Sequence, residues 1–286
     1  MIELENAVEI RGLCKSFGSF RMMDIDLDIP RGYVVGLIGE NGAGKTTLIK
    51  CITGANLVDS GSITLFDSQE GGGNEGSVGV VFDECHFFPQ MNGRQIGRMM
   101  SSLFANWDGD RYAELMSNFG IPLDKKIKEY SRGMRMRIQV AVALSHNPDL
   151  VIMDEATAGM DPAARDEFLD LVMGYMQDER HTVLMSSHIT SDLERIADYI
   201  VFIHKGRIVM NGPKDEILDG YGIVKGSEPD VLAIGMENIV CIKRDEFSTS
   251  ALVKDRKGVI EAYPELVVDP ASLDDIMVMV IRGDAA

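Results

Sequence analysis

A glycine-rich stretch near the amino terminus constrains this chain more than any other feature. Residues 36–50 read GLIGENGAGKTTLIK, which places four glycines and a lysine between an apolar run and a helical segment. Residues 39–46 satisfy the pattern G-x-x-x-x-G-K-[ST], in which backbone N–H groups converge on a phosphate at the amino terminus of a helix. The pattern predicts a strand, a phosphate-binding loop and a helix, with Lys45 directed to the terminal phosphates of a nucleotide and Thr46 to Mg²⁺.

Short apolar runs alternate with helical segments along the chain, which predicts an α/β fold with a parallel sheet covered by helices. The runs predicted to be buried strands are residues 34–38, 78–82, 150–153, 183–185 and 200–203. The segments predicted to be helical are residues 45–53, 93–107, 110–118, 132–145, 162–177 and 191–197. Residues 7–33 alternate at period two and predict antiparallel strands, and Lys205 and Gly206 predict a hairpin turn.

Two glycine-containing stretches, residues 67–76 and 219–230, are predicted to be the least structured parts of the chain. The second marks our boundary between a domain of residues 1–220 and a small α+β appendage of residues 221–286. Within the first domain, residues 87–145 are predicted to form a helical subdomain. These boundaries give a fold with a phosphate-loop parallel-sheet core, an antiparallel β subdomain, a helical subdomain and the appendage.

Two helical segments carry more detailed predictions. In residues 93–107 the apolar side chains recur at i, i+3, i+4, i+7, i+8 and i+11, so we expect one face of this helix to be buried. The side chains of this face are Ile96, Met99, Met100, Leu103, Phe104 and Trp107. In the appendage, Ser272 precedes two acidic residues and predicts a capped helix.

Composition excludes several classes of function. The 28 Lys and Arg against 45 Asp and Glu give a net charge of −17, which disfavours nucleic acid or an anionic bilayer as the main partner. The four cysteines are far apart and predict neither a zinc site nor a disulfide framework. No apolar run approaches the roughly 20 residues of a membrane-spanning helix, so we expect a soluble chain that is not exported.

A second motif, LVIMDEATAGMD at residues 150–161, supplies carboxylates after a buried strand. Asp154 at the strand end is suited to hold Mg²⁺, usually through water. Glu155 follows at the carboxyl end of the strand, where it could polarise an attacking water. An acidic pair after an apolar run is weak evidence alone, but together with the upstream phosphate loop it predicts a nucleotide-hydrolysing site.

The motifs GENGAGKTT, YSRGMRMRIQVAVAL, LVIMDEATAGMD and VLMSSH occur in an order that resembles the nucleotide-binding domain of ATP-binding cassette (ABC) proteins. The resemblance covers about residues 5–220. It implies ATP and Mg²⁺ as ligands and a head-to-tail dimer. We expect a homodimer, because one chain carries every motif. In that dimer Ser131 and Gly133 of one chain would touch the γ-phosphate bound to the loop of the other.

The resemblance also implies roles for single residues. His188 would contact the γ-phosphate and support Glu155, Phe17 would stack on adenine, and Asp161 belongs to the loop that links the two sites of a dimer. The full set predicted to bind the nucleotide is Phe17, Gly39, Asn41, Gly42, Gly44, Lys45, Thr46, Thr47, Ser131, Gly133 and Asp161. The predicted catalytic residues are Glu155 and His188, and the predicted metal ligands are Thr46, Asp83 and Asp154.

Asp83 departs from the family pattern, because members usually carry a glutamine after this strand. An aspartate can bind Mg²⁺ more strongly through charge, but it is shorter and cannot donate a hydrogen bond. The alternative is that Asp83 ends a solvated strand, and the sequence leaves both open. Arg132 and Met134 also depart, since they stand where glycine and glutamine are common.

The function implied by the resemblance is that of an ATPase subunit at the cytoplasmic face of a cell membrane. It would drive separate membrane-spanning subunits, and the short tail resembles bacterial exporter-type subunits. Phe87 and Phe88 would offer the coupling surface, unless they belong to the core of the helical subdomain. The alternative is a soluble ABC ATPase of translation, DNA repair or cofactor assembly, but the chain lacks the second cassette or long coiled coil of such proteins. A P-loop kinase or GTPase is a third alternative. It would not explain the YSRGM motif, and the chain shows no N-K-x-D motif for guanine binding.

Overall fold

The structure is a computed structural model that describes residues 5–66, 77–244 and 248–285. The predicted loop at residues 67–76 lies outside the described residues. The strands are β1 (Asn6–Phe17), β2 (Phe20–Pro30), β3 (Val34–Ile38), β4 (Ser60–Leu65), β5 (Val78–Val81), β6 (Leu150–Asp154), β7 (Thr182–Ser187), β8 (Tyr199–His204), β9 (Arg207–Pro213), β10 (Gly222–Gly226), β11 (Ile239–Arg244), β12 (Thr249–Val253), β13 (Val268–Pro270) and β14 (Asp284–Ala285). The α-helices are α1 (Lys45–Ile52), α2 (Gly93–Leu103), α3 (Gly109–Asn118), α4 (Arg132–Leu144), α5 (Pro162–Tyr175), α6 (Thr190–Ile196), α7 (Lys214–Gly220), α8 (Glu228–Leu232), α9 (Arg256–Ala262) and α10 (Leu273–Arg282).

The central sheet has the strand order β5-β6-β7-β3-β8-β9. Its first five strands run parallel, and β9 pairs antiparallel with β8. The apolar runs are buried on both faces, since Val34 and Ile38 of β3 pack into one core while Val35 and Leu37 pack into another. The predicted α/β fold with a parallel-sheet core is confirmed.

An antiparallel sheet of order β2-β1-β4 covers one face of the core, as the period-two alternation predicts. The predicted hairpin between β8 and β9 is also present. Its two turn residues, Lys205 and Gly206, have φ values of 46° and 74°, the left-handed conformation that a two-residue hairpin turn of type I′ requires. A Cβ at Gly206 would lie 2.1 Å from the carbonyl oxygen of Arg21, so β2 approaches too closely for any side chain there.

The helical part contains α2, α3, a 3₁₀ turn (Ile127–Glu129) and α4. The predicted helix 93–107 is too long, because α2 ends at Leu103 and Asp108 then caps α3 by accepting a hydrogen bond from the Arg111 N–H. The predicted buried face is therefore wrong at Leu103, which is 67% exposed, although Ile96 is fully buried. Phe104 and Trp107 pack outside α2, on His146 and Tyr112 respectively.

The carboxyl-terminal part is an antiparallel sheet of order β13-β10-β12-β11-β14. The sequence β10-α8-β11-β12-α9-β13 is the split βαβ arrangement found in ferredoxin-like domains, and the predicted α+β class is confirmed. The prediction that residues 219–230 are poorly structured is wrong, because they contain β10 and the first three residues of α8. Gly222 is the first residue of β10. A Cβ at this position would lie 2.7 Å from the Val268 side chain, so the glycine allows close packing between β10 and β13.

The last helix, α10, joins the carboxyl-terminal sheet to the core. It begins with the predicted cap, a capping box in which Ser272 and Asp275 exchange hydrogen bonds. Leu273 and Ile276 pack in the same core cluster as Leu193 of α6. The Leu273 N–H donates to Glu194 Oε1 at 2.8 Å. Across the described ranges, we find no helix that combines the length and the apolarity needed to cross a membrane.

Candidate active site

The candidate site lies at the carboxyl ends of the parallel strands, where open α/β sheets bind their ligands. A cleft of about 530 Å³ opens there beside the loop between β3 and α1. The side chains and backbone that line it are Phe17, Phe20, Glu40, Asn41, Gly42, Gly44, Lys45, Thr46, Thr47, Asp83 and Glu155. Most residues predicted to bind a nucleotide therefore meet in one place.

Three glycines give the loop its shape. Gly42 and Gly44 have φ values of 84° and 118°, in the region that side chains rarely adopt. A Cβ at Gly39 would lie 2.5 Å from the carbonyl oxygen of Ile203, so the loop rests directly on β8. Because α1 begins at once after Gly44, its first backbone N–H groups are directed to the loop, which makes an anion site.

Lys45 is held beneath this loop with only 5% of its side chain exposed. Its Nζ donates to the carbonyl oxygens of Gly39 at 2.7 Å and Glu40 at 3.3 Å. The same Nζ lies 3.0 Å from Glu155 Oε1. The ammonium group is therefore placed between the phosphate loop and the carboxylate that follows β6.

Glu155 is held from several sides. Its backbone has a φ of 51°, a strained conformation for a residue that has a Cβ. Its N–H donates to Ser186 Oγ at 3.0 Å, and its Oε2 lies 2.5 Å from His188 Nδ1. The side chain is 12% exposed and lines the cleft, so a carboxylate stands fixed between Lys45 and His188.

Asp154 lies deeper, with 1% exposure, and accepts a hydrogen bond from Ser186 Oγ at 2.6 Å. Thr46 is exposed in the cleft. The predicted metal ligands are hydroxyl and carboxylate oxygens, the donors that Mg²⁺ prefers, so they fit that ion. Where the structure describes the chain, no three His, Cys, Asp or Glu side chains form a metal cluster. A metal here would depend on oxygens from a nucleotide for the rest of its ligands.

An aromatic wall closes one side of the cleft. Phe17 at the end of β1 is 46% exposed, and Lys15 Nζ lies 4.9 Å from the centre of its ring. Phe20 lies opposite in the same hairpin, and its ring would be 3.0 Å from a Cβ at Gly44. Sequence reasoning missed Phe20, although the spacing of FGSF across a tight turn could have indicated it.

Two further residues of the site escaped the sequence analysis. Glu40 lines the cleft, and its Oε1 lies 3.3 Å from His204 Nδ1. Ser186 orders both acidic residues after β6 through its hydroxyl group. Glu40 occupies a variable position of the loop pattern, which gives no signal, whereas the SSH motif does place Ser186 near the strand end.

Six predicted residues do not line the cleft. Gly39, Asp154 and His188 adjoin it through hydrogen bonds with Lys45, Ser186 and Glu155 respectively.

The other three predicted residues lie elsewhere. Ser131 is exposed and caps α4, because its Oγ accepts a hydrogen bond from the Met134 N–H at 3.2 Å. Gly133 follows in the first turn of the helix. Asp161 is also exposed and caps α5 through a hydrogen bond from the Ala164 N–H at 3.0 Å. The structure of one chain therefore does not bring these three residues to the Lys45 site.

Asp83 follows β5 and lines the cleft, but it is neither free in solvent nor alone. Its Oδ1 lies 2.6 Å from Arg132 Nη2, at the first residue of α4. Both residues were singled out as departures from the family pattern, and the structure shows that they pair with each other.

Comparison with known proteins agrees with this geometry. The family described as "ABC transporter" matches residues 22–158. The uncharacterized ABC transporter ATP-binding protein YdbJ of Bacillus subtilis is 33% identical over 210 residues, which are 71% of this chain and 68% of YdbJ. The chain belongs to the family of ABC transporter ATP-binding proteins. Members of this family hydrolyse ATP in a reaction that is coupled to transport.

Other members match different lengths of this ABC ATP-binding protein. The lantibiotic transport ATP-binding protein SrtF of Streptococcus pyogenes is 31% identical over 73% of this chain and 91% of its own length. The ABC transporter ATP-binding protein YtrB of Bacillus subtilis is 29% identical over 96% of this chain and 98% of its own. A solved structure of the ATP-binding subunit of an ABC transporter is 26% identical, with a TM-score of 0.66, over 74% of this chain and 91% of that one. The similarity to YtrB therefore extends over the carboxyl-terminal sheet.

Proposed function

We propose that this ABC ATPase binds MgATP in the cleft between β3 and α1 and hydrolyses it with Glu155 as the general base. The observation that carries the proposal is the row of Lys45, Glu155 and His188, joined at 3.0 Å and 2.5 Å beside the phosphate loop. A general base must lie within hydrogen-bond reach of the water that it deprotonates, and Glu155 is the carboxylate of the cleft that contacts both Lys45 and His188.

Each residue of the row has a distinct role in this proposal. Lys45 leaves Glu155 for the terminal phosphates when ATP enters, because a phosphate offers more negative charge than one carboxylate. Glu155 Oε2 keeps its contact with His188 Nδ1, which holds the carboxylate in position for the attacking water. Thr46 and Asp154, with Asp83 as a further candidate, would hold Mg²⁺, which neutralises phosphate charge during transfer. Phe17 would stack on the adenine ring.

The exposed residues at the starts of α4 and α5 support a composite site in a homodimer. Ser131 and Gly133 lie at the amino terminus of α4, whose partial positive charge favours an anion, yet this terminus does not line its own cleft. Two copies arranged head to tail would place it on the γ-phosphate held by the other copy. Asp161 and its neighbours would then lie between the two sites.

We further propose that the dimer drives separate membrane-spanning subunits from the cytoplasmic face of the membrane, and that transport is export. SrtF, which is named for lantibiotic transport, supports a role in transport, and the resemblance of the tail to exporter-type subunits supports export. Phe87 packs against the helical core, whereas Phe88 is 67% exposed and is available for a coupling contact. The alternative, a soluble ABC ATPase acting on a cytosolic machine, has no contact in the described residues that favours it.

The substitution Glu155→Gln tests the catalytic and dimer proposals together. It keeps the shape of the side chain but removes the base, so we expect turnover to fall by about 10²- to 10⁴-fold. Saturating MgATP should then trap a dimer, which size-exclusion chromatography would detect. Glu167→Gln on the exposed side of α5 is the matched control and should leave turnover unchanged. A monomer at saturating MgATP would argue for an unlike partner cassette in place of a second copy.

The membrane partner requires a separate experiment. Purification of the tagged chain from detergent-solubilised membranes should yield a membrane-spanning protein in a stoichiometric complex. Phe88→Ser should weaken that complex without changing the ATP affinity of the isolated chain, because Phe88 does not line the cleft. Recovery of the chain only from the soluble fraction, with or without this substitution, would favour the cytosolic alternative.

A further inference from the structure

The ion pair between Asp83 and Arg132 joins two parts of the molecule that are 49 residues apart in sequence. Asp83 is the second residue after β5 of the central sheet, and Arg132 is the first residue of α4 in the helical part. The two side chains are 45% and 59% exposed. A pair with this exposure contributes little to folding stability, so its value to the protein lies elsewhere.

The position of Asp83 creates an electrostatic problem for ATP binding. Asp83 lines the same cleft as Lys45 and Thr46, where the phosphates would lie. A free carboxylate there would repel the phosphates and would compete with them for the Lys45 ammonium. The Arg132 guanidinium, with its Nη2 2.6 Å from Asp83 Oδ1, compensates this charge.

The surroundings fix Arg132 in this place. A second cavity is lined by Asp83, Glu84, Arg132 and Arg135, so two acidic and two basic side chains meet there. The Arg132 guanidinium also lies against the loop before α5, since its Nη1 would be 3.3 Å from a Cβ at Gly159. Further along α4, Gln139 Nε2 donates to the Phe82 carbonyl oxygen at 3.1 Å. The segment that follows β5 is therefore bonded to α4 at two points.

We propose that Arg132 is a positioning residue for ATP binding, which neutralises the Asp83 carboxylate beside the phosphate site. The two departures from the family pattern are then one compensated change. An aspartate is tolerated beside the phosphate loop because an arginine stands where glycine is common. This inference rests on the proposed ATP site.

Equilibrium binding of ATP without Mg²⁺, in EDTA, tests the proposal, because any contact of Asp83 with metal is then absent. We expect Arg132→Gln to raise the Kd for ATP by about two- to fivefold, the range of an exposed ion pair. Arg132→Lys keeps the charge and should recover most of the affinity. The effect of Arg132→Gln should shrink as salt rises from about 0.05 to about 0.5 M, because the charges are screened.

The decisive measurement repeats Arg132→Gln in a protein that carries Asp83→Asn. With no carboxylate to neutralise, loss of the arginine should change the Kd by less than about 1.5-fold, the signature of coupled residues. Equal effects in the two backgrounds would overturn the proposal, since Arg132 would then act on the nucleotide directly. An Asp83→Asn protein that binds Mg-free ATP more weakly than the wild type would also overturn it.

A matched control lies in the same helical part. Arg94 and Asp124 form an exposed ion pair with Nε and Oδ1 2.7 Å apart, and neither lines the cleft. Arg94→Gln should leave the Kd for ATP unchanged. If it raised the Kd as much as Arg132→Gln does, the effect would not be specific to the Asp83–Arg132 pair and the proposal would be overturned. Failure of the wild-type chain to bind ATP would instead refute the proposed function. A wild type that binds ATP, with an Arg132→Gln variant of equal affinity, would refute only this inference.

Discussion

The nucleotide-binding part and the carboxyl-terminal sheet differ in what they bury. In the first, Lys45, Asp154 and Asp192 are charged side chains with 5% exposure or less, and Glu155 has strained backbone. In the described residues of the second, the only polar side chains in the buried class are Thr249 and Ser250. Buried charge and backbone strain cost stability and persist where surrounding contacts compensate for them. The comparison indicates that one part is built for chemistry and the other for packing.

The two parts meet at α6, close to the candidate site. Thr190 and Glu194 of α6 bond to Asp274 and Leu273 at the start of α10, at 3.4 Å and 2.8 Å. Thr190 is two residues after His188. The carboxyl-terminal sheet therefore supports the helix that follows the candidate catalytic histidine, although it contributes no side chain to the cleft.

Loss of Lys45 should have the strongest consequence, and it should impair nucleotide binding and hydrolysis without affecting the carboxyl-terminal sheet. Among the described residues, Lys45 contributes the only ammonium group to the cleft lining, so we expect Lys45→Ala to lower kcat/KM for MgATP by about 10²- to 10³-fold. Nucleotide affinity should also fall, while the circular dichroism spectrum should remain that of a folded protein. Steady-state ATPase assays and equilibrium binding measure the two effects.

Lys50→Ala is the control for this prediction, because Lys50 lies on the same helix but outside the cleft. It should leave both quantities within about twofold of the wild type, as expected of a charge that touches no substrate. A folded Lys45→Ala protein with unchanged nucleotide affinity would contradict the assignment of the phosphate loop.

A substitution in the core of the carboxyl-terminal sheet should have the opposite outcome, since it should lower stability without changing ATP binding. Leu252 of β12 is fully buried beneath α10, so Leu252→Ala should lower the free energy of unfolding by about 2–5 kcal/mol. The Kd for ATP should not change at temperatures where the protein remains folded. Urea unfolding and ATP binding provide the two measurements, and Val267→Ala, at a 70% exposed position, is the control.

Cys241 offers a local readout for the same substitution. It pairs with Leu252 across β11 and β12, and burial raises the pKa of its thiol to about 11. At pH 8 the thiolate is then about one part in 10³, and alkylation should be slow. Leu252→Ala should accelerate it. Fast alkylation of Cys241 in the wild type would show that the sheet opens locally, against the idea of a tightly packed unit.

Sequence patterns predicted the two parts unequally, for a physical reason. The phosphate loop and the Asp154–Glu155 pair are local in sequence, because the chemistry needs fixed residue types at fixed spacing, so the motifs locate the cleft. The Asp83–Arg132 pair depends on tertiary contact over 49 residues, which no spacing reveals. The apolar runs predict the parallel strands, whereas the glycines of β10 predict a loop although Gly222 serves close packing against Val268. Leu103 follows the helical period, yet it is the last residue of α2 and its side chain is exposed.

The weakest of the predicted changes is a loss of stability at acidic pH, which should arise in the nucleotide-binding part and not in the carboxyl-terminal sheet. All five histidines of the chain lie before residue 205, so the carboxyl-terminal sheet contains no imidazole group. His146 is 1% exposed and stacks on Phe104 with ring centres 4.2 Å apart. Burial lowers the pKa of His146 below its ordinary value of 6.5.

Because this pKa is depressed in the folded state, the unfolded chain binds the proton more readily as pH falls through 6.5. Stability should therefore decrease below pH 6.5, by at most about 1.4 kcal/mol for each pH unit, until the folded protein is protonated as well. Urea unfolding at pH 7.5 and 5.5 measures the decrease, and His146→Gln should reduce it, whereas His86→Gln, at an exposed position, should not. Alkylation of Cys241, corrected for the pH dependence of its thiolate, should stay constant over this range. A rise in its corrected rate at pH 5.5 would show that the two parts open together, since the acid-sensitive groups lie in the other part.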